Sequence, residues 1–118
     1  MTRKIILVSA LFCAFIGSAN AGSASGKVLR LYVHAQGGNG EGVAMFKVEN
    51  RVSAPDDCGG FDGGTEWAIS LEKEAGRAMY ALLLSAESRG VPVKVYGFDD
   101  CDDWGDRERP KYIIRTDE

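Results

Sequence analysis

The chain has 118 residues, with 14 lysines and arginines against 17 aspartates and glutamates, a single histidine and three cysteines. That is one domain's worth of chain, and its acidic balance argues against a nucleic-acid partner, which would demand a basic patch.

Arg3 and Lys4 open the chain, an uncharged apolar run from Ile5 to Ile16 follows, and Ala19-Asn20-Ala21 closes it. Positive, apolar and small-residue segments in that order predict a cleavable secretory signal peptide over residues 1–21, hence a secreted or periplasmic protein. The apolar run has 12 residues, where a bilayer span takes roughly twenty, so no stable membrane anchor is expected. Cys13 does not read as a lipid-attachment site, because Phe12 precedes it where such a site wants a small residue. Cleavage after Ala21 leaves 97 residues carrying 12 basic and 17 acidic side chains, a net charge of about −5, and enough chain for one core without metals.

Residues 22–26 are small and polar and read as a flexible leader, so the domain proper is expected over 27–118. From Val28 to His34 apolar and polar residues alternate, with Leu29, Leu31 and Val33 on one face and Arg30, Tyr32 and His34 on the other, predicting a half-buried strand. The glycine-rich stretch from Gln36 to Gly42 ends it. Val43 to Val48 then returns as the second arm of a hairpin. Asn50 to Thr65 is loop, centred on Pro55, Asp56, Asp57 and Cys58. Trp67, Ala68 and Ile69 predict a third strand leading directly into a helix, with Ser70 as N-cap and Glu72 and Glu74 in the first turn, where the helix dipole favours negative charge. Ala75, Ala78, Met79, Leu82, Leu83 and Ala86 form one apolar stripe, and Gly90 supplies the left-handed residue that stops the helix. Gly76 costs up to about 1 kcal/mol relative to alanine there, which implies a close approach by another backbone or side chain.

Val91, Val93 and Val95 predict a fourth strand, with Pro92 near its start. An acidic loop carrying Cys101 and Trp104 leads to the last strand, Lys111 to Arg115. Cys58 and Cys101 have only each other to pair with in an oxidising compartment, and neither belongs to a C-x-x-C motif, so a structural disulfide is expected. Closing that 44-residue loop is worth about 4 kcal/mol through the unfolded state.

The β-β-β-α-β-β order, mainly β with one helix between the third and fourth strands, is the plan of an OB-fold five-stranded barrel. The alternative is an α+β sheet with one covering helix. The segments Glu74-Ala75-Gly76-Arg77-Ala78-Met79-Tyr80-Ala81-Leu82-Leu83-Leu84 and Gly90-Val91-Pro92-Val93-Lys94-Val95, with the signal peptide and the small disulfide-bonded mature chain, resemble the exported B-subunit-like proteins related to subtilase and pertussis-type toxins. The resemblance spans about Lys27 to Arg115 and lies in layout. It implies an OB-fold, a glycan-binding and non-enzymatic role, and a pentameric homo-oligomer. It transfers no sugar-contacting residue.

Asp99, Asp100, Asp102, Asp103, Asp106 and Glu108 surround Cys101, and the disulfide would bring Asp56 and Asp57 beside them. Calcium ligation is not expected, because Lys111 stands where an EF-hand spacing needs glutamate. A solvated acidic loop, partly neutralised by Arg107 and Arg109, fits better. A carboxylate pair for glycoside hydrolysis is the weaker reading, since so small a domain offers little cleft. His34 lacks the partners of a catalytic triad and reads as a surface residue. Trp104 is either a ligand platform or a lid over the disulfide, and Trp67 belongs to the core. The sequence therefore points to a binding module without cofactor or metal. Its ligand-binding candidates are Trp104, Asp99, Asp103 and Arg107, its partner a glycan or, alternatively, an envelope protein met at an exposed strand edge.

Overall fold

The computed structural model describes residues 21–36, 41–53, 58 and 60–116. Residues 1–20 of the expected signal peptide, Cys13 among them, lie outside that range, as do the hairpin tip at 37–40 and Pro55, Asp56 and Asp57. The elements are β1 (Ser23–Gly26), β2 (Val28–Gln36), β3 (Glu41–Val48), β4 (Glu66–Ser70), α1 (Glu74–Arg89), β5 (Val93–Gly97) and β6 (Pro110–Arg115), with a short 3-10 turn at Phe61–Gly64. Among the described residues the chain is mainly β with one α-helix. Its strands form two three-stranded antiparallel sheets, ordered β1-β5-β6 and β2-β3-β4.

Residues 22–26, expected as a flexible leader, instead supply β1, which pairs with β5 from Ser23↔Tyr96 to Gly26↔Val93. Small residues suit a linker and a crowded strand equally, and here crowding is the reason. Ala24 is buried in the core, and a Cβ on Gly26, whose φ is +134°, would come within 2.7 Å of the Glu49 side chain. The chain bends at that glycine, so a single run of extended residues serves both sheets. Ser23 exchanges backbone hydrogen bonds with Val52 (2.9 and 2.7 Å), and Ser25 N–H donates to Glu49 O at 3.2 Å, tying β1 to the continuation of β3. A second seam joins β4 to the segment before β6, where Trp67 and Glu108 form a parallel bridge and Ala68 N–H donates to Glu108 O at 3.1 Å.

Ser70 does not cap the helix. It is the last residue of β4, paired with Val43, and three further residues turn the chain before α1 begins with Lys73 as N-cap and Glu74 alone in the acidic first turn. The reason is tertiary: Asp103 accepts a hydrogen bond from Ser70 N–H at 2.8 Å, and Leu71 N–H donates to Gly42 O at 2.9 Å, so the strand runs on where local signals favoured a helix start. Gly90 ends α1 in the left-handed conformation. The close approach implied by Gly76 is the Ser70 carbonyl, 2.0 Å from where a Cβ would stand. That contact rotates the buried stripe onto Gly76, Leu83 and Ala86, leaving Ala75 and Ala78 exposed.

One core lies between the sheets and α1, built from Phe46, Val48, Trp67, Ile69, Leu83, Ala86, Val93 and Val95 with partly buried neighbours. Trp67 stacks on Phe46 at 6.1 Å between ring centroids. Truncating either ring in such a site costs about 3–5 kcal/mol. Among the described residues no helix is long and apolar enough to cross a membrane.

Candidate functional site

Strand alternation and register set three rungs across the face of β2-β3-β4 that turns away from the core: Arg30–Lys47–Glu66, Tyr32–Met45–Ala68 and His34–Val43–Ser70. Val43, Met45 and Ala68 make a small apolar floor, and Tyr32 and Trp104 pack on it. Trp104 arrives from the loop between β5 and β6 and meets His34 edge to face, centroids 4.9 Å apart. It is thus a lid on this outer sheet face rather than on the cysteines.

The floor is bounded by an ion network centred on Glu66, whose side chain is fully buried. Arg107 Nε donates to Glu66 Oε1 at 3.0 Å, the Tyr32 hydroxyl donates to the same oxygen, and Arg30 Nη2 stands 2.7 Å from Oε2. Arg30 and Lys47 also hold Asp62, at 2.7 and 3.1 Å, and keep its carboxyl below the usual carboxylate range. The Arg107 guanidinium lies 3.8 Å over the Phe61 ring and 5.9 Å from Trp104. Burial works against its charge, but Glu66 and the Tyr32 hydroxyl outweigh burial and hold it above its ordinary value. Burial first and Glu66 second push the Tyr32 phenol upward. The result is a row of aromatic rings and cations fixed from beneath before any ligand arrives.

The four ligand-binding candidates are not brought together at one point: Trp104 stands on the outer sheet face, and Arg107 is buried with Nε, Nη1 and Nη2 engaged by Glu66, Asp106 and Tyr32. Asp103, a partly buried residue whose side chain is nearly covered, organises the β4–α1 turn through Ser70 N–H and Lys73 Nζ (3.1 Å). Asp99 lies on the far side of the loop, its backbone N–H donating to Glu108 Oε2 at 3.1 Å. The acidic loop does not converge on one point. Arg109 clamps Asp100 with two hydrogen bonds of 2.9 and 2.6 Å and holds its pKa below the usual range, while Asp106 pairs with Arg107.

At the Val43 end of the apolar floor lies a depression of about 210 Å³ lined by Glu41, Val43, Ser70, Glu72, Lys73, Asp102 and Asp103. The neighbouring Glu41 carboxyl, with burial, raises the Glu72 pKa. Tyr32, His34, Arg30, Glu66 and Phe61 were not among the sequence candidates. Three of them occupy the polar face of the predicted first strand, and that alternation was the available signal. Cys58 and Cys101 meet as two thiols joined by a hydrogen bond and not by a disulfide; burial first, then the hydrogen bond to Cys101, drive the Cys58 thiol far above its ordinary value. Comparison with protein-family models, with curated proteins and with solved structures gives no match.

Proposed function

We propose that this chain is an exported, non-enzymatic binding module that takes a glycan on the Trp104 face of β2-β3-β4. The observation that carries the reading is Trp104 itself, held over a small apolar floor between His34 and the Arg107–Glu66 network. A ring held in this way offers a stacking face for the C–H groups of a sugar, and the carboxylates of the adjacent depression offer acceptors for hydroxyls. The two seams support the OB-fold reading: with β1 and β2 counted as one bent strand, the order closes through the antiparallel pairs and the parallel Trp67–Glu108 bridge. In OB-folds the face of strands two and three, with the loops after strands one and four, is where oligosaccharides and oligonucleotides bind. Trp104 lies in the second of those loops. The B-subunit resemblance adds a pentameric ring, and oxidation of the Cys58 and Cys101 thiols to a disulfide after export would add rigidity to the same loop.

A glycan-array screen with the mature protein, followed by tryptophan fluorescence titration of the hits, tests this reading. Trp67 is sealed in the core, so a ligand-dependent signal reports Trp104. Trp104→Ala should weaken binding about tenfold or more while the domain stays folded. A variant that binds fully overturns Trp104's role, and an array without signal overturns the glycan. In that case the protein-partner reading gains, for which β2 is the supporting feature: it pairs only with β3 among the described strands and exposes Leu29 (57%) and Val33 (45%).

A further inference from the structure

The Glu108 carboxylate is fully buried, and its two oxygens receive Arg51 Nη2, Asp99 N–H and, at 3.0 Å, Gly22 N–H. Glycines line this seat. A Cβ on Gly97 would stand 1.7 Å from Glu108 Oε2, and one on Gly22 would stand 2.3 Å from Oε1 and 2.7 Å from the Ser53 carbonyl. Gly22 is therefore pressed directly against a buried anion, while Ala21, one residue earlier, is exposed. The Ala19-Asn20-Ala21 pattern places the expected cleavage at that same step, on grounds that owe nothing to the fold.

We propose that Glu108 is a binding site for the chain's own amino terminus. Hydrolysis of the Ala21–Gly22 peptide bond by a signal peptidase adds water across it: hydroxyl goes to the Ala21 carbonyl and hydrogen to the Gly22 nitrogen, which protonates at neutral pH. The single N–H that the peptide offers to Glu108 becomes an ammonium with three. Among the described residues Arg51 is the one side chain in an ion pair with Glu108, and the other donors to its oxygens are uncharged backbone N–H groups. Ion pairing of a desolvated carboxylate with an ammonium is stronger than its hydrogen bond to an amide. The uncleaved chain is then the less stable form and the mature chain the more stable one, so processing locks the fold at β1.

This inference rests on the export reading of the proposed function and not on the glycan. Full-length chain expressed in a secreting bacterium should yield a protein whose mass fits residues 22–118. Retention of residues 1–21 defeats the export reading, whereas cleavage at another bond defeats this inference alone. Purified protein starting at Gly22 should melt about 5 °C above protein starting at Ala21, and the gap should close in Glu108→Gln. Equal melting of the two wild-type forms, or a gap that survives in Glu108→Gln, overturns the proposal. Should that variant fail to fold, a crystal structure of the Gly22-started protein decides: the nitrogen on Glu108 supports the seat, and a terminus turned to solvent overturns it.

Discussion

Glu66 and Glu108 are both fully buried carboxylates, and each is held by an arginine that stands over an aromatic ring, Arg107 over Phe61 at 3.8 Å and Arg51 over Trp67 at 3.6 Å. They stand on opposite sides of the Trp67–Glu108 bridge. Glu66 is satisfied by side chains that reach in from the surface, Arg107, Arg30 and Tyr32. Glu108 is satisfied by one arginine and two backbone N–H groups. Side chains can re-aim when a neighbour changes, and a ligand can meet them. Backbone donors move only with their strands. The same buried charge is therefore held by re-aimable side chains on one side of the bridge, where the glycan is proposed to bind, and by the backbone that closes the sheets on the other.

The largest effect should come from Glu108→Ala, which leaves Arg51 buried without its anion and should cost about 3–5 kcal/mol in urea unfolding. Glu66→Ala should cost less, because Arg107 keeps Asp106 and Arg30 opens to solvent; equal losses would break the comparison. Next comes the cysteine pair, which adjoins Arg51 and Glu108. If oxidised as proposed, its reduction should lower stability by about 4 kcal/mol, and the reduced Cys58 should alkylate far more slowly at pH 8 than the unfolded chain, owing to its raised pKa. Gly97→Ala forces a methyl onto the Glu108 carboxylate and should cost about 1–3 kcal/mol, a loss read from the melting curve. The smallest effect belongs to the outer centre. Tyr32 has a folded pKa above its unfolded value of 10.0, so its contribution is present below about pH 10 and is lost as pH rises through the folded value. Tyr32→Phe should flatten that alkaline decline, and an unchanged pH profile would remove Tyr32 from the network.

Much of the scaffold was legible because it depends on local chemistry. The helix followed from its apolar spacing and from Gly90, whose left-handed conformation only glycine adopts freely. The crowding at Gly76 and the burial of Trp67 followed in the same way. Trp104 was legible as an aromatic on a polar loop, but the sheet face it packs on was not. Other positions failed for one reason, that a residue type suits two environments. Gly22 to Gly26 could be linker or crowded strand, and Ser70 could be cap or strand end.

Composition and periodicity determined, by themselves, an acidic chain with a secretory pattern at its start, a mainly β domain and a single helix with a defined stop. Only the tertiary structure decided which charges are buried. Arg107 and Glu108 are neighbours in sequence, as are Glu66 and Trp67, and in extended chain successive side chains point to opposite faces. The register between β4 and the segment before β6 placed Glu66 and Arg107 together beneath the outer sheet face, and Trp67 and Glu108 on the side that closes the fold. That register is made by backbone hydrogen bonds between segments 41 residues apart, which no local pattern encodes.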